Sequence, residues 1–201
     1  MLLKDVEEDN YAEIDGRICT SIELSPKWHK LSMERLVSEV GEGAEKNHTF
    51  INADSCDFLP TFPDNTFDFI VTSPPYWGIL NKLDQKVIKN RVSNNLETKY
   101  SNDEKDLGNL NDYNEFLNIL VEKIFMQCAR VLKNNKYMAI VVSDFRDKSD
   151  YISFHSDLIH YLNKRNIIGG GILKLQGTKI LLQNHKSLLP YGYPFAYVEN
   201  I

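Results

Sequence analysis

The 201-residue chain has little from which a metal or disulfide site could be built. Its three cysteines, Cys19, Cys56 and Cys128, lie far apart and form no Cys-x-x-Cys pair. Five histidines are scattered without ligand spacing, which argues against metal-dependent hydrolysis. An odd cysteine count with no secretory signal predicts a reducing, cytoplasmic setting. No apolar run approaches the roughly 20 residues that a membrane-spanning helix needs. The first fifteen residues, Met1–Asp15, are acidic and lack the basic flank of a signal peptide. Excess basic charge is also missing. Lys and Arg number 23 against 28 Asp and Glu, a formal net charge of -5. Any contact with nucleic acid must therefore come from a local basic surface rather than from the average field.

What remains is ordinary globular material, 42% hydrophobic and 25% charged, enough for one domain with a core across residues 1–201. Arg17–Leu24 is a short β-prone run that stops at Ser25-Pro26, a pair suited to open a helix with Ser as cap. Trp28, Leu31, Leu36 and Val40 then recur at helical spacing up to Gly41 and Gly43. His48–Asn52 and Phe67–Thr72 predict two more strands, and Tyr113–Val131 a helix carrying Phe116, Leu117, Leu120, Ile124 and Cys128 on one stripe. After a turn at Asn134-Asn135, Tyr137–Val142 is nearly all apolar, as expected of a strand covered on both faces. Ser156–Arg165 predicts a helix ended by Gly169-Gly170-Gly171, and Ile172–Leu175 a strand. Strands alternating with helices predict an α/β domain with a mostly parallel sheet. Residues 79–107 show weak periodicity and many polar residues, and read as one long loop of the functional or disordered kind.

The sharpest local feature is Ser73-Pro74-Pro75-Tyr76, directly after a predicted buried strand. In open parallel sheets, ligands sit just beyond the carboxyl ends of the strands. The exocyclic amine of cytosine or adenine is a poor nucleophile, because its lone pair is delocalised into the ring. Two acceptors that hold its hydrogens draw the nitrogen toward tetrahedral geometry. The Ser73 hydroxyl and the Pro74 carbonyl can be those acceptors, and the two prolines stiffen the loop and remove its N–H groups. Tyr76 offers a face for a flipped base, with stacking worth about 1–3 kcal/mol. Holding a methyl donor and this amine in line would supply much of the rate without a covalent intermediate. No cysteine follows a proline, so the nucleophile of covalent C5-cytosine chemistry is missing.

This tetrapeptide resembles motif IV of the DNA N4-cytosine and N6-adenine methyltransferases. Ser in its first position is closer to the N4-cytosine branch, and Asp or Asn is commoner in the adenine branch. Ile22-Glu23-Leu24-Ser25-Pro26 resembles the family's motif II, in which the acid, here Glu23, binds the cofactor ribose. Asn52-Ala53-Asp54 resembles motif III, whose Asp, here Asp54, meets the cofactor adenine. Asp106-Leu107-Gly108-Asn109, Arg130–Asn135, Val142–Lys148 and Pro190–Tyr197 are similar to later blocks. Asp144 ends a predicted buried strand, where it could face the pocket, cap a helix or pair with Arg146. The resemblance implies a Rossmann-like methyltransferase core that uses S-adenosylmethionine, with Ser73, Pro74, Pro75 and Tyr76 catalytic and Glu23, Asp54 and Ser73 at the cofactor. It also implies double-stranded DNA as partner and a restriction–modification setting.

One block of that pattern is missing. The family's Gly-rich motif I should lie about thirty residues before the Glu23 block, yet Met1–Asp15 contains no Gly. Ala196–Ile201 reads as the start of a strand pair left incomplete. The expectation is an incomplete core with weak cofactor affinity on its own, or one completed by a complementary chain. Lys82, Lys86, Lys89 and Arg91 (with Lys99) are candidates for phosphate contacts, diluted by acids in the same segment. Alternatives stay open: the same loop acting on another planar amine (N6 of adenine in DNA, a base in RNA or a glutamine side-chain amide in a protein), and an inactive remnant that binds nucleic acid or a partner chain.

Overall fold

The computed structural model describes residues 18–78, 88–89, 92–93, 101, 103–147, 150–169 and 172–180. Strand β1 (Cys19–Glu23) leads into helix α1 (Pro26–Val40), and strand β2 (His48–Asn52) into the single-turn helix α2 (Ser55–Phe58). Strand β3 (Phe67–Thr72) ends at the proline loop. A long helical rod follows from Tyr113 to Val131, then strand β4 (Leu132–Ile140), the short strands β5 (Phe145–Asp147) and β6 (Asp150–Ile152), and helix α5 (Phe154–Gly169). The rod is made of α3 (Tyr113–Ile119), a wider π turn (Leu120–Phe125) and α4 (Met126–Val131).

The architecture is α/β with two parallel strand pairs and one antiparallel hairpin. β1 pairs with β2 from Cys19↔His48 to Glu23↔Asn52, and β3 with β4 from Phe69↔Tyr137 to Thr72↔Ile140. The Val141 N–H continues the second ladder to the Thr72 carbonyl at 2.9 Å. The two pairs share a hydrophobic layer, because Ile22 of β1 and Ile70 of β3 are buried in one cluster with Cys128 and Val131 of α4. A second cluster joins Phe116, Leu117, Leu120 and Phe125 of the rod to Trp77, Phe145, Phe154 and Leu158. Burial of these large side chains is the main force closing the fold.

Beside the two parallel pairs, β5 and β6 pair antiparallel from Phe145↔Ile152 to Asp147↔Asp150. Three sequence expectations need correction. Strand β4 is not covered on both faces: Tyr137 is 63% exposed and its cross-strand partner Phe69 is 54% exposed. Asn134-Asn135 is no terminating turn. It lies inside β4 as an irregularity, with Asn135 at φ 60°, a left-handed conformation that Asn tolerates, and the register shifts between Phe67 and Phe69. Ile172–Leu175 forms no strand, because the Asn166 side chain occupies both the N–H and the carbonyl of Leu173.

Local chemistry sets the helix ends. Pro26 occupies the first turn of α1 as expected, but Ser25 contributes no side-chain cap. Its backbone N–H donates instead to Glu23 Oε1 at 2.8 Å. Gly41 stops the helix at φ 119°, a value that penalises any side chain. Met1–Asp15, Pro190–Tyr197 and Ala196–Ile201 lie outside the described residues.

Candidate functional site

A cavity of about 410 Å³ opens where β1, β2 and β3 end. Glu23, Asp54, Ser73, Pro74 and Pro75 all line it. Five of the six residues that the resemblance places in catalysis or at the cofactor thus meet at one place, although they come from the ends of three different strands. The floor is apolar, formed by Leu120, Ile124 and Phe125 of the widened turn. π turns inside helices are frequent at functional sites. The volume lies in the range of about 300–1,000 Å³ usual for small-molecule pockets, which combine apolar walls with a few polar groups.

Glu23 is buried, with 8% exposure, which a carboxylate tolerates only when its oxygens are bonded. The Ser25 N–H supplies one such bond. Its strand end is pinned from β2: Asn52 Nδ2 donates to the carbonyls of Glu23 (2.8 Å) and Leu24 (3.0 Å), and the Ala53 N–H donates to the Glu23 carbonyl (3.1 Å). Asp54 caps α2, with Oδ1 accepting the Cys56 N–H at 2.8 Å. Both acids therefore use one oxygen to shape their own turn at the cavity edge. Burial, then the neighbouring Asp54 carboxylate, pushes the Cys56 thiol up to about 11, and burial pushes Cys128 up to about 12. Neither is a thiolate at neutral pH, so neither has the character of an activated nucleophile.

Tyr76 stands apart from the cavity. It is half-buried and meets Phe145 and Phe154 edge-on, at centroid distances of 6.1 and 6.2 Å. Burial raises its phenol pKa, opposed by a hydrogen bond from the Ser143 main chain. Pro74 is buried, and Ser73 and Pro75 are half-buried between cavity and aromatic cluster. Trp77 anchors the loop beneath, buried and tilted on Tyr113 at 5.2 Å. The Gly78 N–H donates to the Gly108 carbonyl at 3.0 Å, fastening the loop to the Asp106–Asn109 block. Asp106 shapes that block, accepting from Gly108 N–H (2.9 Å) and Ser101 Oγ (2.8 Å).

Several cavity residues escaped the sequence reading. Trp28, Leu31, Ser32 and Arg35 of α1 line it. Trp28 and Leu31 carried the signal, but a helical apolar stripe usually means core, and here each is 37% exposed. Lys105 also lines the cavity and bonds Asp57 of α2 at 2.7 Å, joining two walls. Of the three roles open to Asp144, the structure carries the helix cap: Oδ1 accepts the His155 N–H at 3.2 Å at the start of α5. Of the basic candidates, Lys89 is described and exposed, whereas Lys82, Lys86 and Arg91 lie outside the described residues.

Among the described residues, no helix is long and apolar enough to cross a membrane, and no group of three or more His, Cys, Asp or Glu could hold a metal ion. No family model, curated protein or solved structure matches the chain.

Proposed function

We propose that this chain is the core of a Rossmann-like DNA amino-methyltransferase, with S-adenosylmethionine in the cavity and the N4 amine of a flipped cytosine on the Ser73–Tyr76 loop. The observation that carries the reading is the convergence of Glu23, Asp54, Ser73, Pro74 and Pro75 on one cavity at the carboxyl ends of parallel strands. Such strand ends are where ligands of open α/β sheets bind.

The residues fit the cofactor. Glu23 lines the cavity at a strand end and is the acid proposed to accept from the cofactor's ribose diol. Asp54 has an oxygen beyond its cap bond for an adenine amine. The apolar floor suits the uncharged part of the nucleoside. When bound, the cofactor supplies a methyl group activated on a sulfonium.

On the other side of the loop, the Ser73 hydroxyl and Pro74 carbonyl take the two amino hydrogens and orient the nitrogen lone pair toward the cavity. The nitrogen releases one proton as it gains the methyl carbon, and the Ser73 hydroxyl is the loop group that can pass it to water. Tyr76 stacks the base, which has to leave the helix to reach the site. Lys82, Lys86, Lys89 and Arg91 are the proposed phosphate contacts. Cytoplasmic location and a role in restriction–modification belong to the same reading, as does a complementary chain that supplies a Gly-rich cofactor loop.

The test is an amide-resolved NMR titration with S-adenosylhomocysteine. The reading expects shifts at Glu23, Asp54 and Ser73, with weak affinity for the chain alone. Shifts confined to residues remote from the cavity would overturn it. A second reading, N6-adenine methylation, uses the same loop and is separated by hydrolysing methylated DNA and identifying the modified nucleoside.

A further inference from the structure

Two rings form the socket around Tyr76, and both lie beside Asp144 or the groups it binds. Phe145, which meets the ring at 6.1 Å, immediately follows Asp144. Phe154, at 6.2 Å, sits between Ser153 and His155. Asp144 binds both of these neighbours: His155 Nδ1 at 2.7 Å and its N–H at 3.2 Å, and Ser153 Oγ at 3.4 Å. Tyr151 adds its hydroxyl at 2.8 Å to Oδ2, bringing in β6. One half-buried carboxylate therefore ties the start of β5 to the start of α5, and Tyr76 rests across that joint.

We infer that Asp144 is a positioning residue for Tyr76, fixing from behind the ring on which the target base is to stack. The inference rests on the reading of the Ser73–Tyr76 loop given above. The contacts divide into two sides. Phe145 moves with the start of β5, and Phe154 moves with α5. Without the carboxylate, the two sides lose a common anchor made of four hydrogen bonds. The ring then keeps its apolar contacts but not a single orientation. Pre-organised aromatic placement is what makes stacking effective, because ordering a side chain on binding costs free energy.

In Asp144→Asn the amide oxygen can keep His155, while the Tyr151 and Ser153 hydroxyls, which accept as well as donate, turn to meet the N–H₂, so the bonds persist without the charge. Asp144→Ala removes all four bonds.

The experiment uses the full chain with ¹³Cζ-labelled tyrosine, the Tyr76 signal being assigned by its loss in Tyr76→Phe. Asp144→Ala is expected to shift or broaden the Tyr76 resonance, and Asp144→Asn, which can keep the bonds, to leave it nearer to wild type. In methyl transfer, Asp144→Ala should raise KM for DNA by about tenfold, a fraction of the stacking free energy, with kcat changed less. A Tyr76 resonance unmoved by Asp144→Ala would overturn the inference even if transfer falls. A moved resonance with unchanged transfer kinetics also overturns the positioning role when Tyr76→Ala abolishes transfer. If Tyr76→Ala leaves transfer intact, the loop reading itself fails. Should Asp144→Ala unfold the chain, Tyr151→Phe alone, which removes one of the four bonds, carries the spectroscopic test.

Discussion

Asn52 holds Glu23 from the neighbouring strand, its side-chain amide donating to the Glu23 carbonyl at 2.8 Å and then to Leu24 at 3.0 Å. Because β1 and β2 run parallel and in register, Glu23↔Asn52 is the last pair of the ladder, and without it the buried carboxylate would sit on a frayed end. Asn52→Ala is expected to cost about 1 kcal/mol of stability, the net worth of a hydrogen bond, read as a lower denaturant midpoint. An unchanged midpoint would mean that the ladder alone holds the strand end.

The carboxylate of Glu23 has two duties that a mutation can separate. Glu23→Gln keeps an acceptor for the Ser25 N–H, so the chain should stay folded with little change in midpoint. A charge-assisted bond to a ribose hydroxyl would weaken, lowering affinity for S-adenosylhomocysteine by about tenfold, on the scale of 1.5–3 kcal/mol for hydrogen bonds to charged groups. Titration calorimetry on the two proteins reads this directly. Equal affinities would remove Glu23 from the cofactor site.

Arg130 shows why keeping the charge in a substitution does not keep the role. Its guanidinium donates to the carbonyls of Phe62 (2.8 Å) and Leu59 (3.0 Å) and to Asp64 Oδ1, and so fastens α4 to the loop that enters β3. Lysine offers a point charge without the planar fork. Arg130→Lys should therefore destabilise the fold by about 1–3 kcal/mol, the cost of buried carbonyls left without donors. Thermal melts of the two proteins test it, and a variant that melts with wild type would show that water replaces the fork.

Acid sensitivity follows from Asp144. Burial alone would raise its pKa, but the bonds from His155 and Tyr151 outweigh burial and hold it below the ordinary 3.8. A carboxyl depressed in the folded state stabilises the fold above its unfolded pKa, and that contribution is lost as pH falls through the folded value. Asp57 and Asp68 are depressed as well, by exposed lysines, and salt screens such pairs. In high salt, Asp144→Asn should reduce stability at neutral pH and flatten the acid limb of a stability–pH profile. Parallel profiles for mutant and wild type would contradict this.

The sequence made some levels of this structure legible and hid others. β2 and β3 were readable to the residue, because short apolar runs ended at Asn52 and at a Ser-Pro-Pro stop. The meeting of Glu23, Asp54 and Ser73 was legible because each terminates a parallel strand, and parallel strands bring such ends together. The β5–β6 hairpin was not, since three-residue strands carry too little alternation to detect. Nor was the failure of Ile172–Leu175 to pair, because the competitor is a single side chain, Asn166, on another element. Trp28 and Leu31 were legible as part of a helical stripe but not as cavity lining, because helical periodicity reports which face is apolar and not whether protein or a cavity lies opposite.

The central claim is that the cavity and the proline loop together move a methyl group to a DNA base. Its most direct test is transfer of a labelled methyl group from S-adenosylmethionine to mixed-sequence DNA by the chain and by Ser73→Ala and Tyr76→Ala. The account predicts slow transfer by the wild-type chain, N4-methylcytosine as the product, and loss of transfer in both variants. Label incorporation that persists in both variants, or a folded wild-type chain that transfers nothing even when a Gly-rich complementary segment is supplied, would contradict it.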